Sequence, residues 1–496
     1  MGGVLLAASL PPWPVSTGAW PLGLIGAALL FVALDGRTGR QRLAVGMAAG
    51  LGLYLPGLWW MRDFSLPGYV VATLLQAGIL AAGLALVGDR GWRRVAAFPA
   101  ALVVVEAVRG GWPFGGMPIS GVDLGQVGGP LAPAARIGGR LLLVALVGVG
   151  GVALVALVRR RWLVAGAGVA VVVALAVLGV VAPDGSVDRR LAVAVVQGGG
   201  PRGLRAVGRD PAPVLQRHVD ATAGVRLPVD LVLWPEDVVD VAREVSATPE
   251  GATLSTLADS LDATLVAGVV QDEGDDRFRN SAVPWGPDGI MYPRYDKVHR
   301  VPFGEWVPAR GFFDRIADLS AVPRDAIIGR GPAVVDTPVG RLGVVISYEV
   351  FFPERARDAV RSGGRVVLVP TNAASYRDAQ IPSQQVAVAR LRALETGRWV
   401  VQAAPTGYSA VVDQRGRVRS QGGLGGAEVL HAGVDLRTGH TLYVTTGSTP
   451  WLVVAALILV FGMRKPKWLI GRFVDRSGRI NKIRDTLHID PEGGSC

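Results

Sequence analysis

Residues 141–181 read LLLVALVGVGGVALVALVRRRWLVAGAGVAVVVALAVLGVV. Two apolar runs, Leu141–Val158 and Leu163–Val181, flank a single basic triplet, Arg159, Arg160 and Arg161. Each run approaches the 20 or so apolar residues that cross the hydrocarbon core of a bilayer. The pattern predicts two membrane helices joined by a short loop, and a short Arg-rich loop stays on the cytoplasmic side.

Similar runs occupy Leu22–Leu34, Leu43–Trp60, Val70–Val87, Val95–Val108 and Trp451–Phe461, and residues 2–14 form a shorter apolar stretch. The expected total is about eight spans. Every second connection is basic: Arg37, Arg40 and Arg42; Arg90, Arg93 and Arg94; Arg159 to Arg161; and Arg464, Lys465 and Lys467. The alternate short loops hold almost no Lys or Arg, with Arg62 the exception, while Arg109, Arg136 and Arg140 are spread thinly over a longer one. This alternation predicts that both termini are cytoplasmic and that the long segment before the last span lies outside. No Lys or Arg precedes the first apolar run, so a cleaved signal peptide is not expected. The expected organisation is a membrane bundle over 1–185 (about seven spans), a soluble domain over 186–446, a last helix over 447–465 and a basic cytoplasmic tail over 466–496 with Trp468 as an anchor.

Composition agrees. Half of the residues are hydrophobic, 18% are charged and mean hydropathy is +0.37, where a soluble chain carries about a quarter charged residues. The net charge of +11 lies in arginine clusters beside apolar runs, which points to an anionic membrane surface rather than nucleic acid. Cys496 is the one cysteine, so neither an internal disulfide nor a Cys-based metal site is expected. His218, His299 and His431 lack metal-ligand spacing, and no cofactor is implied.

Residues 191–443 have a different grammar. Short β-branched runs recur at Leu191–Val196, Leu231–Leu233, Thr264–Val269, Gly343–Ile346, Val366–Val369 and Trp399–Ala403. Helical stretches lie between them, among them Pro382–Leu394 with Arg390, Arg392 and Glu395 on its polar side. Val-rich runs alternating with helices predict sheets buried on both faces. Gly422–Gly426 reads as a turn region and not as a phosphate cradle, since no Lys-Ser/Thr follows.

Three strand ends carry chemistry: Leu231-Val-Leu-Trp-Pro-Glu236, Tyr295-Asp-Lys297-Val-His-Arg-Val-Pro-Phe-Gly-Glu305 and Gly343-Val-Val-Ile-Ser347-Tyr-Glu349. Taken singly, each also fits a helix cap, a surface ion pair or a turn serine. Together, in this order, they resemble the Glu–Lys–Cys framework of the nitrilase (carbon–nitrogen hydrolase) superfamily. Pro370-Thr-Asn372, Arg390-Leu-Arg-Ala-Leu-Glu395-Thr-Gly-Arg398 and Thr406-Gly407 also match. With several spans before this domain and one after it, the chain is similar to the apolipoprotein N-acyltransferases. Glu106-Ala-Val-Arg109 and Gly116-Met-Pro118 resemble that family's motif near the active-site mouth.

The resemblance implies a membrane helical bundle of about eight spans plus an extracytoplasmic α/β nitrilase-like α-β-β-α sandwich. It implies Glu236 as general base, Lys297 as the cation beside the oxyanion and Glu305 and Glu349 as supporting residues. The family nucleophile is cysteine, and this chain has Ser347 at that position. A thiol ionises near pH 8.5, whereas a hydroxyl is far less acidic and needs a strong, aligned base. Three accounts of Ser347 stay open: a substitution that disarms the enzyme, a paralogue kept as a binding scaffold, and a serine acyltransferase.

The implied reaction is ping-pong, from a phospholipid acyl donor to the α-amine of a diacylated lipoprotein acceptor, both held in membrane lipid. Some relatives associate with a polyprenyl-phosphate mannose synthase, which is the partner a scaffold implies. A membrane-bound amidase is the other alternative. Trp59, Trp60, Trp112 and Phe114 lie near outer span ends, fit for a lipid entrance or an interfacial belt. Phe303, Trp306, Phe312 and Phe313 fit an apolar lid or ordinary packing. Arg109 beside Glu106 fits a headgroup contact or a structural pair.

Overall fold

The computed structural model describes residues 1–12, 16–88, 91–203, 210–315, 318–320, 322–376 and 378–463. The expected tail over 466–496 lies outside the described residues, as do Arg90 and Lys465.

Seven helices come first: α1 (Gly2–Ser9), α2 (Trp20–Ala33), α3 (Gly39–Gly57), α4 (Leu66–Ala85), α5 (Gly91–Gly111), α6 (Ala135–Val158) and α7 (Trp162–Val181). Three segments are long and apolar enough to cross a membrane: Leu66–Ala85, Ala132–Val158 and Trp162–Val181. α3 and α5 match them in length but carry Arg40 and Arg42, and Arg93, Arg94, Glu106 and Arg109, respectively. α1 has 8 residues and rises about 12 Å, less than half of a hydrocarbon core. Residues 2–12 therefore do not form a full span; Pro11 and Pro12 follow the C-cap Leu10 and cannot continue the helix. The run to Trp60 is also shorter than expected, because the helix ends at Gly57 and Trp59–Asp63 form a 3₁₀ turn.

Small residues let these helices approach closely. A Cβ on Gly50 of α3 would sit 2.5 Å from the Cα of Ala77 on α4, and one on Gly46 would sit 2.6 Å from that of Ala81. At one end of the bundle three basic loops meet on a single carboxylate: Arg94 and Arg159 reach Asp35 at 2.6 and 2.7 Å.

The soluble part holds two sheets. In the first the spatial order is β14 (Glu428–Thr438), β1 (Ser186–Gln197), β2 (Leu231–Leu233), β4 (Thr264–Asp272), β5 (Arg277–Trp285) and β6 (Tyr295–Asp296). β3 (Val239–Val241) adds to β4, and β7 (Asp325–Ala326) adds to β5. The second sheet runs β13 (Val418–Gln421), β12 (Ala410–Val412), β11 (Val400–Ala403), β10 (Val367–Pro370), β9 (Gly340–Val344) and β8 (Val334–Thr337). The sheets pack face to face through Val193, Val195, Leu233, Val344, Leu368 and Val401. Helices α8 (Ala212–Thr222) and α9 (Pro249–Leu261) cover the outer face of the first sheet. α11 (Pro353–Arg361) and α12 (Gln380–Thr396) cover the second, α10 (Arg310–Phe313) lies in a loop, and α13 (Leu442–Thr446) leads to α14 (Thr449–Met463), which packs on α5. This is the expected α-β-β-α sandwich, and the Val-rich runs are its inner strands.

α12 is where the two parts meet. The side chains expected on its polar side are mostly interior: Arg392 and Glu395 are 1% and 0% exposed and pair at 2.8 Å. Glu395 also accepts the backbone N–H of Arg140 from α6 at 2.8 Å. Gln380 donates to the Pro56 carbonyl at 2.8 Å, and Gln384 accepts from Ser120 N–H at 3.1 Å.

Candidate active site

Buried strands with little freedom deliver the functional side chains. β2 ends at Leu233, and the Trp234 indole donates to Thr222 Oγ1 at 3.1 Å, fixing the turn that presents Glu236. The turn lies hard against β4: a Cβ on Gly268 would stand 2.4 Å from the Pro235 oxygen, so only glycine fits. Lys297 follows β6, its backbone N–H on the Asn280 carbonyl of β5 at 2.9 Å. Ser347 follows β9 and opens a 3₁₀ turn over Ser347–Phe351 with φ of 49°. A left-handed serine costs about 1–2 kcal/mol, so neighbouring contacts hold it.

The structure joins Glu236, Lys297 and Glu305. The ammonium donates to Glu236 Oε1 at 2.7 Å and to Glu305 Oε1 at 2.6 Å. Asn280, which sequence reasoning missed, donates to the same two oxygens at 2.9 and 3.2 Å. The carboxylates then differ. Glu305 Oε2 accepts Val301 N–H at 2.9 Å, so both of its oxygens are used. Both bonds to Glu236 fall on Oε1, and among the described residues Oε2 has no partner. Lys297 and Glu236 are 2% and 3% exposed. Burial opposes the Lys297 charge, but the two carboxylates outweigh it and hold the ammonium above the usual lysine range. Burial raises the Glu305 carboxyl, against Lys297 which lowers it.

Glu349 does not touch Lys297. Its carboxylate accepts Val298 N–H at 2.7 Å and His299 N–H at 3.0 Å on one oxygen, Ile346 N–H at 2.8 Å on the other, and the Tyr295 hydroxyl at 2.9 Å on both. It ties the backbone beside Lys297 to the backbone beside Ser347, so any orienting effect on the lysine runs through the main chain.

Ser347 Oγ accepts from the Thr371 hydroxyl at 3.1 Å, and Gln385 of α12 donates to that hydroxyl at 2.9 Å. No hydrogen bond joins Ser347 to Glu236 among the described residues. The two are linked one residue along: Asp237, after Glu236, accepts from Asn372, after Thr371, at 3.0 Å. Burial and the Glu236 charge push the Asp237 carboxyl well above the usual range. Thr371 and Asn372 lie in the quoted Pro-Thr-Asn segment, but nothing local in the sequence reveals their partners.

A cavity of about 1010 Å³ opens beside this cluster, between the membrane helices and the sandwich. Leu10, Leu55, Trp59, Tyr69, Arg202 and Gln384 are among its lining residues, while Glu236, Lys297 and Ser347 are not. The Tyr376 ring meets Trp60 at 5.2 Å and Phe64 at 5.5 Å, and burial and the nearby Glu236 charge push its phenol up to about 12. Phe114 contacts Phe303 at 6.0 Å, and Phe303 contacts Phe313 at 5.0 Å. Arg109 is fully buried and satisfied by Glu106 at 2.7 Å, Gln76 at 2.5 Å and the Ile119 carbonyl at 2.7 Å, which makes it a structural pair and not a headgroup contact.

A sandwich with a Glu–Lys–Glu cluster at its strand ends, carried on apolar helices, defines a membrane-associated carbon–nitrogen hydrolase domain. Residues 192–442, about half of the chain, match the carbon-nitrogen hydrolase family, and residues 2–153 match the apolipoprotein N-acyltransferase N-terminal domain. The apolipoprotein N-acyltransferase of Mycolicibacterium smegmatis is 31% identical, over 93% of this chain and 83% of its own. That of Azotobacter vinelandii is 31% identical over 89% and 90%, and that of Vibrio parahaemolyticus is 28% identical over 90% and 93%. An amidase structure from Nesterenkonia sp. is 23% identical with a TM-score of 0.39, over 54% of this chain and 98% of that one. The chain belongs to the apolipoprotein N-acyltransferase family.

Proposed function

We propose that this chain acylates the N-terminal amine of diacylglyceryl-modified lipoproteins, taking the acyl group from a phospholipid, and that Ser347 makes the transfer slow. The open Oε2 of Glu236 carries the reading, because it leaves one carboxylate of the cluster able to take a proton. Glu236 removes the proton from the side chain at 347 as its heteroatom attacks the acyl carbonyl. Lys297 supplies the positive charge that stabilises the developing oxyanion. The carbonyl re-forms, the lysophospholipid alkoxide leaves with the proton, and the acyl-enzyme remains. The acceptor amine then attacks the acyl carbonyl, Glu236 takes the amine proton and returns it to the side chain at 347 as the bond to that side chain breaks, and the N-acylated product leaves. The cavity of about 1010 Å³ between bundle and sandwich supports lateral approach of both lipids, with Trp59 at its wall. The meeting of the basic loops at Asp35, on helix ends other than those that meet α12, supports a multi-pass topology in a bacterial plasma membrane with the sandwich outside.

The test is N-acylation of a diacylated lipopeptide in phospholipid vesicles. An alcohol is about 7 pKa units less acidic than a thiol, some 10 kcal/mol of proton cost. Greater nucleophilicity of the more basic atom returns nearly half. The remaining cost of about 5.5 kcal/mol means that Ser347→Cys is expected to raise the rate by about ten-thousandfold. No transfer by either protein refutes the enzyme reading and favours a scaffold for a polyprenyl-phosphate mannose synthase.

A further inference from the structure

A second cavity, about 450 Å³, lies where α7 ends and β1 begins, with Arg136, Val180, Val181, Asp184 and Arg415 in its wall. It shares no lining residue with the larger cavity. One wall is apolar: Val180 and Val181 are 60% and 70% exposed on the last turn of a helix long and apolar enough to cross a membrane. This places the cavity at the depth where the chain passes from hydrocarbon to water.

The other wall is basic and under-neutralised. Arg136 is 5% exposed, yet its Nε has no partner, and its Nη1 bonds to the Gly179 and Val180 carbonyls are both long, at 3.3 Å. Arg415 is exposed, and among the described residues only its backbone N–H is engaged, on Asp413. Arg398 and Arg437 lie behind, 3% and 4% exposed. Burial and the adjacent Arg437 push the Arg398 guanidinium down to about 10, still cationic at neutral pH. Asp184 is the carboxylate in the cavity, 3.1 Å from Arg437 and 3.6 Å from Arg136. Asp413 is taken by two backbone N–H groups and by Arg419 at 3.8 Å. Buried cations without matching anions are costly. An anion that carries its own apolar portion satisfies both walls.

We propose that this cavity seats the phosphate of a phospholipid headgroup, with Arg136 and Arg415 on its oxygens and the acyl chains along Val180 and Val181. A guanidinium fork matches phosphate oxygens, and a lipid is the source of phosphate that also uses the valines. The site is separate from the catalytic cluster and does not depend on its chemistry.

Native mass spectrometry of the full chain in detergent, titrated with phosphatidylglycerol, diacylglycerol or inorganic phosphate, tests it. For Arg415→Gln, which removes an exposed side chain, the apparent Kd for one bound phosphatidylglycerol is expected to rise about tenfold through loss of one charge-assisted bond. Arg136→Lys, which keeps the charge and loses the fork, is expected to weaken binding in the same direction. Diacylglycerol binding stays equal in all three proteins. Equal phosphatidylglycerol binding by wild type and Arg415→Gln overturns the proposal. Displacement of the lipid by millimolar inorganic phosphate also overturns it, since the cavity would then be a free-anion site.

Discussion

Replacing Glu349 by glutamine keeps the shape of the side chain and removes its charge. The carboxylate is fully buried and faces four donors: Val298, His299 and Ile346 N–H, and the Tyr295 hydroxyl, which lies 2.9 Å from both oxygens. An amide has one acceptor oxygen and one donor nitrogen. Turning its oxygen to Val298 and His299 sets its NH₂ against Ile346 N–H; the reverse sets it against two. The better choice loses one charge-assisted bond, about 2 kcal/mol, and weakens two more by about 1 kcal/mol each. The sum is about 4 kcal/mol. For a domain of this size each kcal/mol moves the midpoint by roughly 2–4 °C, so Glu349→Gln is expected to melt about 8–16 °C lower by tryptophan fluorescence in detergent. In an S347C background, well below that midpoint, acyl transfer is expected to fall more than tenfold in kcat with KM nearly unchanged, because one carboxylate fixes the backbone on both sides of the reaction. A fall in midpoint without the kcat effect would make Glu349 purely structural. A midpoint within 2 °C of the parent refutes the bonding scheme itself.

Two further outcomes concern stability. The His218 ring lies tilted against Trp234 at 5.6 Å, and burial holds its imidazole down to about 4 from 6.5. The unfolded chain takes up a proton below pH 6.5 that the native state refuses. The stabilisation is therefore complete above pH 6.5 and is lost as pH falls to about 4, some 3 kcal/mol in all. His218→Gln is expected to flatten the acid fall of the melting midpoint in that window; an unchanged slope counts against it. Glu106 accepts from Arg109 at 2.7 Å and from Arg140 at 2.6 Å, with all three side chains nearly fully buried. Glu106→Ala leaves buried Arg109 with neutral partners alone and Arg140 with Asp123 at 3.1 Å, and is expected to cost about 3–5 kcal/mol, read as a lower unfolding midpoint in detergent. A variant that melts with the wild type would show that the two arginines find other partners.

What the sequence revealed was what is encoded locally. Many inner strands are continuous Val-rich runs, and Glu236 and Ser347 sit just beyond two of them, so runs and ends could be read together; Lys297 follows the short β6 and was legible only through its motif. β14 and the polar end of β1 escaped notice because half-exposed strands lack such runs, and the whole of β5 escaped because its buried part, residues 280–285, mixes polar and apolar side chains. Asn280 escaped because its role depends on β5 pairing with β4 and β6, a long-range fact. The burial of Arg392 and Glu395 was misread for the same reason: charge on a helix suggests water until another buried charged element, here α6, arrives to cover it.

The geometry also bears on whether Ser347 marks a scaffold. A buried lysine between two carboxylates gains little over apolar residues of similar volume, since desolvation cancels most of the attraction. A serine held at φ of 49° is a further cost. A protein that only bound a partner through its surface would lose nothing by relaxing both. Here both persist, and Glu349 is spent on holding the two segments that carry them. Costs gathered round one side chain are the mark of a site still shaped for chemistry. On the proposed function, exchange of a single atom at 347, oxygen for sulfur, is therefore expected to be the change that governs the rate.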